Sequence, residues 1–187
     1  VSTDYVFDGT ATIPYTEDFP VAPVNMYGAT KLKGEELAQQ NNAGSIIIRT
    51  SWVYSSFGNN FVKTMLRLRK EKESLNVVSA QVGCPTYRDD LAEAIMRVVE
   101  EENNEHSPSG ILNYCNEGVI TWFEFANEIK KISKSKCAIN PIPSSAYPVP
   151  AKRPQYSVLD TTKIKETYDV AISNWKDSLH TCLSFLT

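Results

Sequence analysis

The sequence predicts an α/β fold built on a mostly parallel sheet. Three observations support this. Short strand-like runs alternate with amphipathic helical ones along the chain. The run Ser45–Val53 is almost continuously apolar, as in a parallel strand covered on both faces. Helix start and stop signals bracket the segments between the strand-like runs.

Taken in order, Val1–Phe7 is expected as a strand, closed by the turn pair Asp8-Gly9. Residues 10–24, with Pro14, Pro20 and Pro23, read as an extended surface loop. A helix is expected over Asn25–Gln40, with Leu32, Leu37 and Ala38 near one face, ending at Ala43-Gly44. The strand Ser45–Val53 follows. Asn59–Lys72 reads as a second helix, with Phe61, Val62, Met65 and Leu66 on one face and Lys70 and Lys72 near its end. Leu75–Ser79 reads as a strand. Asp89–Glu102 is a third helix, with Asp89, Asp90 and Glu93 early, and Ile111–Cys115 is a further strand. Thr121–Ser133 opens with the capping box Thr121-x-x-Glu124. Residues 138–156, with Pro141, Pro143, Pro148, Pro150 and Pro154, read as an ordered loop, and a last helix covers about Asn174–Leu186.

Composition narrows the function classes. The chain has 187 residues and a net charge of −3, so no broad basic field argues for nucleic acid or an anionic membrane surface. No apolar run is long enough to span a bilayer. Cys84, Cys115, Cys137 and Cys182 form no CxxC pair, and the histidines are His106 and His180 alone, so no metal site is expected. The cysteines read as reduced thiols of a cytoplasmic protein. The chain opens on Val1 inside a strand-like run, which reads as a fragment.

Tyr27 and Lys31 are four residues apart on an expected helix, so both project from one face. A free phenol titrates near ~10, and a neighbouring ammonium favours its ionised form. Such a pair can exchange a proton with an oxygen near neutral pH. Thr3 comes 24 residues before Tyr27, at a strand end, where parallel sheets place ligands. Its hydroxyl can donate to a carbonyl and polarise it.

The stretches VSTDYVFDG (1–9), PVNMYGATKLKGE (23–35) and IIRTSWVYS (47–55) resemble the extended short-chain dehydrogenase/reductase superfamily, and within it the dTDP-4-dehydrorhamnose reductase family. GNNFVKTML (58–66), QVGCPTYRDDLA (81–92), GILNYCNEG (110–118) and AKRPQYSVLDTTKI (151–164) fit the same family in order. The resemblance implies the C-terminal part of a Rossmann-type parallel sheet plus a smaller substrate-binding lobe. Residues 1–80 are then a partial dinucleotide-binding domain lacking its first half. Residues 81–187 are then mainly the lobe, with late Rossmann elements interleaved.

The resemblance assigns Thr3, Tyr27 and Lys31 as catalytic residues, with Tyr27, Lys31 and Ser2 against NADPH or NADH. It places Trp52, Asn60 and Arg153 with Thr3 on a dTDP-sugar. Trp52 also fits a core tryptophan, Asn60 a plain helix cap, and Arg153 a surface ion pair. Gln81, Pro85 and Thr86 resemble the segment bordering the nucleotide site, while Asp90 and Asp160 read as helix-start residues. The implied reaction is NADPH-dependent reduction of dTDP-4-dehydro-6-deoxy-L-mannose to dTDP-L-rhamnose. A related nucleotide-sugar epimerase or dehydratase, or a non-catalytic nucleotide-binding regulatory subunit of the same fold, are the alternatives. The eight glycines form neither GxG nor GxxG, so the loop that cradles a pyrophosphate is not in this sequence. The chain alone is therefore expected to bind cofactor poorly and turn over little. With an open apolar sheet edge it is expected to self-associate, in addition to any native homo-oligomer.

Overall fold

The structure, a computed structural model, describes residues 1–101, 109–147 and 149–186. His106 and Pro148 lie outside the described residues. In chain order the elements are β1 (Ser2–Thr3), a 3-10 turn (Asp4–Val6), α1 (Met26–Asn41), β2 (Ile46–Thr50), β3 (Val53–Tyr54), α2 (Phe61–Glu71) and β4 (Ser74–Val78). There follow β5 (Val82–Gly83), β6 (Thr86–Tyr87), α3 (Arg88–Glu101), β7 (Gly110–Tyr114), β8 (Ile120–Thr121), α4 (Trp122–Ile132) and β9 (Ala138–Ile142). A second 3-10 turn (Ser144–Ala146), α5 (Thr162–Tyr168) and α6 (Trp175–Ser184) complete the chain.

The α/β class holds, and the main sheet is parallel in the order β1-β2-β7. Ser2 pairs with Arg49, and Ile46–Thr50 pair with Gly110–Tyr114. Ile48, Leu112 and Tyr114 of this sheet pack with Leu91, Ala94 and Val98 of α3 and Ile164 of α5. A second parallel pair, β4 with β9, lies under α2 and α4, where Val62, Met65, Leu75, Phe125 and Ile129 form another core. Burying each such side chain contributes about 1.5–3 kcal/mol before the entropy of ordering it. The loop 10–24 is pinned rather than loose. Tyr15 is fully buried, stacks on Phe7 at 4.2 Å and pairs by backbone with the Val158 segment.

Several expected elements differ in the structure. The Val1–Phe7 strand stops at Thr3, because the Thr3 hydroxyl accepts from the Tyr5 amide and caps a 3-10 turn. The Ser45–Val53 strand breaks at Ser51-Trp52, where Trp52 takes a left-handed φ of 48°. The expected 138–156 loop contains β9, which among the described residues pairs with β4 alone and is therefore an edge strand, where a proline such as Pro141 is tolerated. The seven-residue α5 had no strong periodic pattern to announce it. The helices over 26–41, 61–71, 88–101 and 122–132 fall where expected, each within a residue or two at its ends. The Thr121/Glu124 capping box is formed in both directions.

α1 departs from its expected apolar face. Leu37 is 46% exposed, and the buried residues of the helix are Gly28 and Glu35. Glu35 meets Arg49 of β2 in a buried ion pair at 2.7 Å, with side chains only 3% and 2% exposed. Ser2 donates to the same carboxylate. Arg49 also donates to the Glu17 carbonyl at 3.1 Å and lies over the Phe7 ring at 5.2 Å. The Glu17 carboxylate in turn accepts from the Asn113 amide of β7 at 2.9 Å. One polar network thus ties α1, β1, β2, β7 and the 10–24 loop together.

Removing one partner leaves a buried charge unpaired, which costs about 3–5 kcal/mol. Urea unfolding of Glu35→Ala should show a loss of that size. The double variant Glu35→Leu/Arg49→Met should recover most of it.

Candidate functional site

Glu35, Lys31 and Tyr27 are spaced by four residues and form one ridge of α1. Because the buried end of that ridge is held by Arg49 and Ser2, the rest of it is turned toward β1. Lys31 Nζ donates to the Val1 carbonyl at 2.8 Å. One turn further, the Tyr27 ring meets the Tyr5 ring edge-on at 5.8 Å between centroids. Gly28 permits this approach: a Cβ there would stand 2.1 Å from the Tyr5 carbonyl oxygen. Asn25 caps the helix, accepting from the Gly28 amide at 2.8 Å, and its amide donates to the Lys152 carbonyl at 2.8 Å. The cap therefore joins α1 to the segment that carries Arg153.

Thr3 ends β1 and is buried, its hydroxyl donating to Asp4 Oδ1 at 3.0 Å and accepting from the Tyr5 amide at 3.2 Å. Asp4 is 2% exposed, and its Oδ2 makes no hydrogen bond. Burial pushes its carboxyl up to about 7, against the Ser157 and Thr3 hydroxyls, which favour the ionised form. The Ser157 hydroxyl acts on the carboxyl without completing a hydrogen bond to Oδ2. The Tyr5 phenol is also raised, first by burial and then by the charges of Asp4 and Tyr27, with Arg153 opposing. Tyr5 thus feels both the Arg153 guanidinium and the Tyr27 ring packed beside it.

Beside these residues runs a groove of about 1580 Å³, with Phe61, Gln81, Trp122, Lys152, Arg153 and Tyr156 among its walls. Thr3, Tyr27 and Lys31 are not part of those walls. The groove meets α1 at Lys152, whose carbonyl accepts from the Asn25 cap. Trp52 is reached from the groove through Trp122, whose ring stacks on it at 3.6 Å and 11°. Gly83 makes room for this indole, since a Cβ at Gly83 would come within 2.7 Å of Trp52 Cε2.

The remaining residues singled out from sequence have partners within the fold or border the groove. The Ser2 hydroxyl donates to Glu35, inside the fold. Asn60 caps α2, accepting from the Lys63 amide at 3.2 Å and donating to the Ser55 carbonyl at 2.8 Å. Gln81 borders the groove, Pro85 is buried, and Thr86 is buried with its hydroxyl on Thr50 at 3.3 Å. Asp90 accepts from Asn116 and Ser178, joining α3 to α6, and Asp160 accepts from the Thr162 amide at the start of α5. Sequence reasoning missed Asp4, Tyr5 and Trp122. Asp4 and Tyr5 stand next to Thr3 in the motif already singled out, but their burial was not readable from it. Among the described residues, no group of three or more His, Cys, Asp and Glu could hold a metal. No helix among them is long and apolar enough to cross a membrane.

A parallel sheet with a Tyr-x-x-x-Lys helix turned against a threonine at a strand end defines the extended short-chain dehydrogenase/reductase fold. Within that class the chain belongs to the family of the RmlD substrate binding domain, whose model matches residues 1–187. It is 43% identical over 179 residues to the Bacillus subtilis spore coat polysaccharide biosynthesis protein SpsK, covering 96% of this chain and 61% of that protein. It is 41% identical over 181 residues to a dTDP-4-dehydrorhamnose reductase of Salmonella typhimurium, covering 94% of this chain and 60% of that protein. The crystal structure of dTDP-4-dehydrorhamnose reductase from Bacillus anthracis in complex with NADP matches with a TM-score of 0.92 at 36% identity, over 98% of this chain and 63% of that one. The family resemblance read from the motifs is thereby borne out. The chain spans about 60% of the length of the curated relatives it matches.

Two outcomes follow from the packing and charge of the site. Gly83→Ala should push Trp52 off Trp122, costing about 1–3 kcal/mol of overpacking. The loss of the stacked pair is to be read from near-ultraviolet circular dichroism. Asp4 binds its proton more tightly folded than unfolded, so its contribution is complete below pH ~4 and is lost as pH rises through about 7. Between those limits wild-type stability should fall relative to Asp4→Asn by up to about 1.4 kcal/mol per pH unit, measured by urea unfolding across pH.

Proposed function

We propose that this chain carries the proton-transfer and sugar-binding part of an NADPH-dependent dTDP-4-dehydrorhamnose reductase. The full-length protein then reduces the C4 ketone of dTDP-4-dehydro-6-deoxy-L-mannose to give dTDP-L-rhamnose. The observation that carries this reading is the Tyr27–Lys31–Glu35 ridge, rotated by its buried end so that Tyr27 packs against the turn that begins at Thr3. A helix that merely covered a sheet would bury apolar residues there.

The residues fit a nicotinamide dinucleotide. Tyr27 is 55% exposed, and Lys31 has spent only one recorded hydrogen bond, on the Val1 carbonyl, so it keeps donors for ribose hydroxyls. When bound, the dinucleotide supplies hydride. Tyr27 delivers a proton to the carbonyl oxygen as negative charge develops on it. The Lys31 ammonium favours the phenolate left behind. Thr3 holds the carbonyl by hydrogen bonding. Arg153, a rigid two-pronged donor at the groove, suits a diphosphate, with Lys152 beside it. The Trp52/Trp122 stack offers a flat apolar wall for a deoxysugar.

We further infer that the β1-β2-β7 sheet belongs with the dinucleotide-binding half, and that the β4–β9 layer with α2 and α4 forms the sugar lobe. The four buried free cysteines support a reducing, cytoplasmic setting.

The test is an assay of the full-length protein with the dTDP-4-dehydro-6-deoxy sugar. Stoichiometric NADPH oxidation is expected, with Tyr27→Phe about 10²–10⁴-fold slower. An epimerase or dehydratase returns the hydride to the sugar and would show product without net NADPH loss. Wild-type turnover in Tyr27→Phe would remove Tyr27 as the acid.

A further inference from the structure

We propose that Asp4 is a positioning residue that sets, by carrying or lacking a proton, the direction in which the Thr3 hydroxyl points its single hydrogen. The proposal rests on the reductase reading above and deepens it. A hydroxyl has one hydrogen to donate and two lone pairs that accept. In the structure one lone pair of Thr3 Oγ1 takes the Tyr5 amide, and the hydrogen goes to Asp4 Oδ1. With Asp4 ionised, that hydrogen is committed, and Thr3 has none for a substrate carbonyl. With Asp4 protonated, the acid donates to the second lone pair. Thr3 then accepts twice, and its own hydrogen is released toward the ligand side of the strand end. The proton moves with solvent and no bond other than O–H is made or broken.

Two further observations support the assignment. Asp4 is 2% exposed, and its Oδ2 makes no hydrogen bond, so an ionised carboxylate is poorly housed there. The structural alternative, an aspartate serving as the cap of the turn, is not what is seen: the turn is capped by Thr3 itself. Burial leaves the carboxyl neutral up to about pH 7, against the Ser157 and Thr3 hydroxyls, which favour its ionised form. The titratable groups electrostatically coupled to it are the Tyr5 phenol on the same turn and the Cys115 thiol just beyond β7, itself hydrogen-bonded with Cys84. Both titratable neighbours would carry negative charge if ionised. The cation Arg153 acts on Tyr5.

The test uses the full-length protein in four forms: wild type, Asp4→Asn, Thr3→Ser and Thr3→Val. In wild type, kcat/KM for the dTDP-4-dehydro-6-deoxy sugar should fall about tenfold per pH unit above about 7. That limb should persist in Thr3→Ser, which keeps the hydroxyl, and vanish in both Asp4→Asn and Thr3→Val. A limb that persists in Asp4→Asn or in Thr3→Val overturns the proposal. So does a uniform loss in Asp4→Asn with the profile unchanged, which a purely structural role would give. If Asp4→Asn fails to fold, the Thr3 pair still decides. Carboxyl resonances of ¹³C-aspartate-labelled protein give an answer that needs no turnover. One carboxyl should titrate near neutral pH in wild type and move upward in Thr3→Val, which removes the donor to its ionised form. A protein without reductase activity but with that titration would refute the reductase reading and leave the Asp4–Thr3 coupling standing. All aspartates titrating near 4 would refute the coupling itself.

Discussion

The buried pair of Glu35 and Arg49 is the constraint on which the rest of the structure depends. Its two charges lie on different elements, and each is almost wholly removed from water. An ion pair in such a place is tolerable only if its remaining donors and acceptors are also used. Here they are met by Ser2, the Glu17 carbonyl and the Phe7 ring. Each of those partners belongs to a segment that the sheet must hold in place. The pair therefore specifies geometry more than it adds net stability. It sets the rotation of α1, and through that rotation the side of the strand on which Tyr27 and Lys31 stand.

Close backbone approach does the remaining positioning. At Gly28 the helix comes so near the Tyr5 carbonyl that no side chain can intervene. At Gly83 the chain yields its volume to the Trp52 ring, which stands on a left-handed residue that interrupts the strand. Trp52 and Trp122 then stack as one aromatic wall although 70 positions separate them in sequence. Strain at Trp52 is retained because the surrounding contacts over-determine it. The proposed site thus places Thr3 on a sheet strand, Tyr27 and Lys31 on a helix held by its buried end, and Arg153 on the groove wall.

Much of this was legible in the amino-acid sequence. The alternation of apolar runs and helix-end signals located α1, α2, α3 and α4, because helix ends carry local chemistry: Thr121 forms its expected capping box, and Asn25 and Asn60 cap within a residue of the expected helix starts. The Tyr27/Lys31 spacing placed both on one face, since 3.6 residues per turn is a property of the backbone alone. The seven motif stretches pointed to the family that the whole-chain match shows. The lapses have a shared cause. β9 hid behind prolines, α5 is too short for a period, and Ser45–Val53 hid both a buried arginine and a break. In each case a distant partner, not the local run, decided the outcome.

By itself, then, the sequence determined the fold class, most of the helices and the family. Those depend on local interactions and motifs. Only the tertiary structure decided that Glu35 and Arg49 share a dry interior, that Ser2 donates to Glu35, and that Trp122 covers Trp52. It alone showed that Asp4, one residue beyond Thr3, is sealed from water with an oxygen left without a partner. Burial and pairing across the chain are properties of what else arrives in the same place. A residue's letter and its neighbours in sequence do not carry that information.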